Sequence, residues 1–171
     1  VTDNTHECYK GMVGSYGFKY TNNIINNSDF VIVLGSRLDE RQRITAKEEF
    51  LKTAYVVQVD IDEHELGHVV KNAVKINSSV EKFLEKILNK IQDETIVFPL
   101  SDSEQTRTEE YVFDKETHDL LQKLTGIPVE DAIICVDVGK NQMLAAQSLV
   151  LGKNCKYLNS AGLGSMGYAI G

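Results

Sequence analysis

Phe30-Val31-Ile32-Val33-Leu34-Gly35 is an unbroken apolar run closed by a glycine. A run without polar alternation is what a strand shows when both of its faces are covered, as in a parallel sheet. Ala54-Tyr55-Val56-Val57-Gln58-Val59-Asp60 repeats the pattern, and a shorter run, Ala73-Val74-Lys75-Ile76, follows. Helical segments flank these runs. One begins near Phe18 and takes in Ile24 and Ile25, and Ala46 to Lys52 carries Phe50 and Leu51 at helical spacing. Ser79 then caps an amphipathic helix to about Gln92. Its stripe is Val80, Phe83, Leu84, Ile87, Leu88 and Ile91, the spacing of a single helix face. Strand and helix alternate, which predicts an α/β fold with a parallel, doubly wound, Rossmann-like sheet.

Beyond this unit the pattern breaks. Asp93 to Glu110 is rich in Ser, Thr, Asp and Glu and reads as a linker. A second unit opens at Asp114, which is placed to cap a helix through Leu124 before Gly126-Ile127-Pro128 stops it. A strand at Ala132 to Val136, a helix at about Gln142 to Leu149 and a short strand at Lys156-Tyr157-Leu158 complete it. The chain stops at Ala169-Ile170-Gly171, inside a glycine-rich apolar stretch, and starts at Val1, so it is expected to be a piece of a longer chain.

Composition narrows the partners. The 171 residues carry a net charge of −7, which disfavours both nucleic acid and an anionic membrane surface. No stretch approaches the roughly 18 apolar residues of a membrane span. Val1 to Lys10 is polar, without a signal-peptide pattern, and a cytoplasmic protein is expected. The three cysteines, Cys8, Cys135 and Cys155, show no CxxC spacing, and Cys135 is expected to be a reduced core thiol. His64 and His68 stand i, i+4 beside Glu63 and Glu65, but a solvated face is the simpler reading, and no metal site is expected on this chain.

Two stretches carry chemistry. In Val136-Asp137-Val138-Gly139-Lys140-Asn141-Gln142-Met143 a strand ends and a helix starts. Ligands of open α/β sheets bind beyond the carboxyl ends of strands, and a helix start offers N–H groups to an anion. The bland alternative is a tight turn capped by Asn141, with no ligand. In Asn159-Ser160-Ala161-Gly162-Leu163-Gly164-Ser165-Met166-Gly167 the glycines spell GxGxxG after a short strand. That invites a dinucleotide fingerprint. Only four residues follow Gly167, so the helix, second strand and ribose-binding acid of that fingerprint are not in view.

Together, Asp137-Val138-Gly139-Lys140-Asn141-Gln142-Met143 and Gly162-Leu163-Gly164-Ser165-Met166-Gly167 resemble the start of the pyrophosphate-binding domain of thiamine diphosphate enzymes. The resemblance is closest to the acetolactate synthase large-subunit group. Tyr9-Lys10-Gly11-Met12-Val13-Gly14-Ser15-Tyr16-Gly17, Leu34 to Asp39 and Val59-Asp60-Ile61-Asp62 resemble the glycine-rich turn and strand ends of that family's central domain. The resemblance implies a partial central domain over residues 1–93, a linker over 94–113 and a truncated thiamine diphosphate pyrophosphate-binding domain over 114–171.

The resemblance also implies roles. Gly139, Lys140 and Asn141 would contact the cofactor's diphosphate. Gly164 would offer its carbonyl to the pyrimidine amino group, and Met166 would prop the cofactor's bend. Lysine at position 140 is less usual for the family, and a solvated surface lysine is its other reading. No catalytic residue is implied here, because the activating glutamate belongs to a domain that this chain lacks. The magnesium site is likewise implied downstream of Gly171. FAD is disfavoured, since Asn77-Ser78 stand where flavin-bearing relatives have Gly-Asp, and Arg37 is more simply a salt-bridge partner of Asp39 or another acid. The parent is expected to decarboxylate a 2-oxo acid such as pyruvate, to join the product to a second carbonyl compound, and to form a homodimer or larger assembly. The chain by itself is expected to be inactive and to bind the cofactor weakly or not at all. Two alternatives stay open: a non-catalytic FAD- or NAD-binding or structural module, and a related 2-oxo acid decarboxylase without carboligation.

Overall fold

A computed structural model describes residue 6 and residues 8–43, 49–91, 114–125, 131–152 and 154–170. The linker expected over 94–113 and the first half of the helix expected over Ala46 to Lys52 lie outside these residues. The fold is mixed α/β with parallel strands, in two compact units: residues 22–106, and residues 1–21 together with 107–171.

In the first of these, β1 (Phe30–Leu34), β2 (Tyr55–Asp60) and β3 (Val74–Asn77) form a parallel sheet in that order. Phe30 pairs with Tyr55 and Val57 with Val74. With this register Val31, Val33, Val56 and Gln58 share one face. Leu38, Phe50, Leu51, Val69, Val70 and Ala73 close the core over it, with Ile25 of helix α1 (Lys19–Asn26) at its margin.

The opposite face corrects an expectation. Phe30, Ile32, Leu34 and Tyr55 are exposed, although an unbroken apolar strand was expected to be covered on both sides. Phe30 and Tyr55 stack there, with ring centroids 6.0 Å apart. Helix α2 (Val80–Ile91) buries only Phe83, while Leu84 and Leu88 of the same stripe stay exposed. Three strands at about 4.8 Å spacing are hardly wider than one helix, so the helix finds cover for only part of its stripe. Residues 49–52, within the helix expected over Ala46 to Lys52, are turns and bends; residues 63–67 are turns, and His64 and His68 are exposed.

In the other unit, β4 (Ile133–Val136) pairs in parallel with β5 (Lys156–Asn159), Ile133 opposite Lys156 and Val136 opposite Asn159. Helices α3 (Lys115–Thr125) and α4 (Lys140–Ser148) pack against each other. Asp114 caps α3 as expected, accepting the Thr117 N–H at 3.2 Å. His118 Nδ1 and Ser148 Oγ lie 2.8 Å apart and join α3 to the end of α4. Val136, Ala145, Leu149 and Leu151 form the core, backed by Leu121, Ile134 and Tyr157. Ile133, Cys135 and Leu158 point the other way and are exposed. Cys135 is therefore not a core thiol: the two-residue period of β4 turns it away from the helices. Within the same unit the Gly11–Gly17 turn packs tightly, with Gly14, Gly17 and Phe18 buried, and the Gln147 side-chain amide donates to the Tyr16 carbonyl.

Candidate functional site

The two chemical stretches lie beyond the carboxyl ends of β4 and β5, which are neighbours in one parallel pair. That is where ligands of open α/β sheets sit. The chain leaves β4 at Val136, turns through Asp137 and Val138, and enters α4 at Lys140. Gly139 is the N-cap, at φ 106° and ψ −159°. This backbone region is essentially reserved for glycine. No side chain caps α4 across its first turn. Asn141 Oδ1 instead accepts the adjacent Gln142 N–H at 2.8 Å. The helix therefore starts two residues earlier than the sequence suggests, because glycine supplies the turn that a capping side chain would otherwise supply.

Lys140 reaches back to α3, with Nζ 3.7 Å from Asp114 Oδ2. The Asp114 carboxyl is held below its ordinary value, first by the Thr117 backbone N–H and further by Lys140. Lys140 is 59% exposed and Asp114 34%, so the pair is screened by water and worth little. On the other side, the Tyr157 hydroxyl of β5 donates to the Gln142 carbonyl at 2.9 Å and ties α4 to the sheet. Burial pushes this phenol above its ordinary 10.0.

The glycine segment after β5 is built by short-range bonds. Asn159 Oδ1 accepts the Ala161 N–H at 3.0 Å, the Ser160 carbonyl accepts the Gly164 N–H at 2.7 Å, and Ser160 Oγ accepts the Ser165 N–H at 3.1 Å. Its apolar side chains face outward: Leu163 is 93% exposed and Met166 90%. Space is open around Gly162 and Gly164. The two stretches meet at Asp137. Its carboxylate accepts the Val138 N–H at 2.8 Å and the Gly167 N–H at 2.8 and 3.1 Å.

Gly139, Lys140 and Asn141 thus stand on one turn and Gly164 and Met166 on a second, at the same end of one strand pair. Asp137 and Tyr157 were not singled out from the sequence. The signal for Asp137 was present, an acid directly after a strand and two residues before a glycine, but its partner is 30 residues away. A cavity of about 880 Å³ opens between the helices and β4, walled by Leu121, Ile134, Leu144 and Leu149, with Asp114, Lys140 and Asn141 also on its lining. Among the described residues no cluster of His, Cys, Asp or Glu is arranged to hold a metal ion. No described helix is long and apolar enough to cross a membrane.

Residues 1–87 match the family model of the thiamine pyrophosphate enzyme central domain. The chain belongs to the thiamine pyrophosphate enzyme family. Over nearly its whole length it is similar to acetolactate synthase large subunits. Identity is 30% over 171 residues with isozyme 1 of Escherichia coli (strain K12), covering 96% of this chain and 30% of the relative. It is 31% over 173 residues with the protein of Lactococcus lactis subsp. lactis (strain IL1403), covering 97% and 30%. It is 34% over 175 residues with that of Porphyra purpurea, covering 94% and 29%. The chain therefore spans about three-tenths of the length of these curated relatives. Its parallel sheets fit the family.

The residues present also fit the family's cofactor. An α-helix start without a side-chain cap, entered through a glycine at φ 106°, suits a diphosphate. An exposed methionine on a hydrogen-bonded glycine segment suits an aromatic ring.

Proposed function

We propose that this chain forms one wall of a thiamine diphosphate site in an acetolactate synthase-like 2-oxo acid decarboxylase and carboligase. The observation that carries this reading is the placement of both glycine turns at the carboxyl ends of the neighbouring strands β4 and β5. Gly139, Lys140 and Asn141 would hold the diphosphate through helix-start N–H groups and the Lys140 ammonium. Gly164 would meet the pyrimidine through its carbonyl, and Met166 would support the cofactor by apolar contact. When bound, thiamine diphosphate supplies an acidic ring carbon and an electron sink for decarboxylating a 2-oxo acid such as pyruvate. This chain's share is to bind and orient; the acid that activates the pyrimidine and the magnesium ligands come from the parent's other segments.

Residues 1–93 act as part of the central domain and 114–171 as part of the pyrophosphate-binding domain. A flavin has less support, because Asn77 Nδ2 already donates to the Asp60 and Ile61 carbonyls at 3.2 and 3.0 Å. The bare apolar faces around Phe30 and Tyr55 and around Ile133 and Leu158 support assembly into a dimer or larger unit.

The test is titration of the chain with thiamine diphosphate and magnesium, followed by amide-resolved NMR. Half-saturation in the millimolar range, with shifts at Gly139 to Asn141 and Gly164 to Met166 and no pyruvate consumption, is expected. Micromolar binding or turnover would refute the division of labour, and shifts confined to other residues would refute the site.

A further inference from the structure

We propose that Asp137 is the positioning residue of this site, setting the spacing between its diphosphate turn and its pyrimidine-side segment. The proposal rests on the thiamine diphosphate reading above. The Asp137 side chain is half-buried at the end of β4. One carboxylate oxygen accepts Val138 N–H at 2.8 Å, which holds the turn into Gly139. The same carboxylate takes Gly167 N–H at 2.8 and 3.1 Å, which holds the end of the glycine segment.

The segment needs such a tie. Residues 161–170 are all exposed, and Leu163, Met166 and Ile170 are each at least 90% bare, so apolar burial does not hold it. Its other hydrogen bonds among the described residues run within the segment or to Asn159 and Ser160 at its root. These shape the segment without fixing where it lies relative to α4. Asp137 makes the reach across 30 positions of sequence.

A carboxylate suits this task better than a neutral acceptor. Charge-assisted bonds to backbone N–H groups are shorter and roughly twice as strong as neutral ones. Two half-sites held at fixed spacing bind a two-part ligand more tightly than either half binds its own part. Thiamine diphosphate has two such parts; pyrophosphate has only one. Loss of the tie should therefore weaken the whole cofactor and spare pyrophosphate.

Asp137→Asn keeps the side-chain shape and removes the charge, and Asp137→Ala removes both acceptors. Each is compared with wild type by amide-resolved NMR titration of the full 171-residue chain with thiamine diphosphate and, separately, inorganic pyrophosphate, both with magnesium. Gly167 amide exchange is measured without ligand. Expected are faster Gly167 exchange, a thiamine diphosphate midpoint weakened about tenfold, and a pyrophosphate midpoint changed by less than about twofold. The alanine variant should show the larger effects. A general packing defect would weaken both ligands in parallel, and that outcome overturns the proposal. So does an unchanged thiamine diphosphate midpoint in both variants, which leaves the site reading intact. No shift at either turn in wild type overturns the site reading and the role of Asp137 together.

Discussion

Replacing Gln58 with leucine tests how the carboxyl end of the three-stranded sheet is built. Gln58 sits in the middle of β2 and is only 1% exposed. Its Nε2 donates to the Ser36 carbonyl at 3.3 Å and the Glu65 carbonyl at 3.1 Å, and its Oε1 accepts the Gly67 N–H at 2.8 Å. One side chain thus satisfies backbone groups of two separate turns, both beyond the sheet. Gln58→Leu keeps nearly the same volume, so cavity formation is a minor factor. What it loses is three hydrogen bonds, at about 1 kcal/mol each, and it leaves their backbone partners half-buried and unpaired. The expected cost is about 3 kcal/mol, a large share of the stability of an ordinary domain. Because the chain has two compact units, a global unfolding midpoint would mix their transitions. Urea-dependent hydrogen exchange at the Val56 to Asp60 amides isolates the relevant one. A loss below about 1 kcal/mol, with an unchanged denaturant slope, would refute the reasoning and mean that water replaces the amide.

Three further outcomes are expected. Gly139→Ala should cost about 1–3 kcal/mol, because a Cβ would meet only Asn141 Oδ1, at an ordinary 3.7 Å, and the strain lies in the backbone angle; thermal unfolding monitored at α4 amides measures it. The Asp114 cap should fail in acid. Its carboxyl lies below the ordinary 3.8 in the folded state, so its contribution is complete above 3.8 and is lost as pH falls through the lowered folded value; α3 amide exchange followed into acid, against a flat profile in Asp114→Asn, checks this. Tyr157 should behave oppositely. Its folded value lies above 10.0, so its contribution is complete below 10.0 and is lost as pH rises through the folded value; spectrophotometric titration should show a late-ionising component that vanishes in Tyr157→Phe, a change costing about 1 kcal/mol.

The elements themselves were legible in the order of residues. β1, β2 and β3, the α2 stripe, the Asp114 cap and the strand–turn–helix around Gly139 depend on local periodicity and on residues a few positions apart, and each formed within two residues of its pattern. The family was legible for the same reason, since Asp137-Val138-Gly139 and Gly162-Leu163-Gly164 are contiguous signatures. Burial was not. An apolar run does not state how many strands and helices surround it, so Phe30, Ile32 and Leu34 proved bare on a narrow sheet, and Cys135 faced away from the helices. Position 58 reads as one polar letter in an apolar strand; only folding brings Ser36, Glu65 and Gly67 around it. The joining of the two glycine turns also belongs to tertiary structure. It depends on β4 and β5 lying side by side, so that an acid at the end of one strand meets an N–H 30 residues further along the chain.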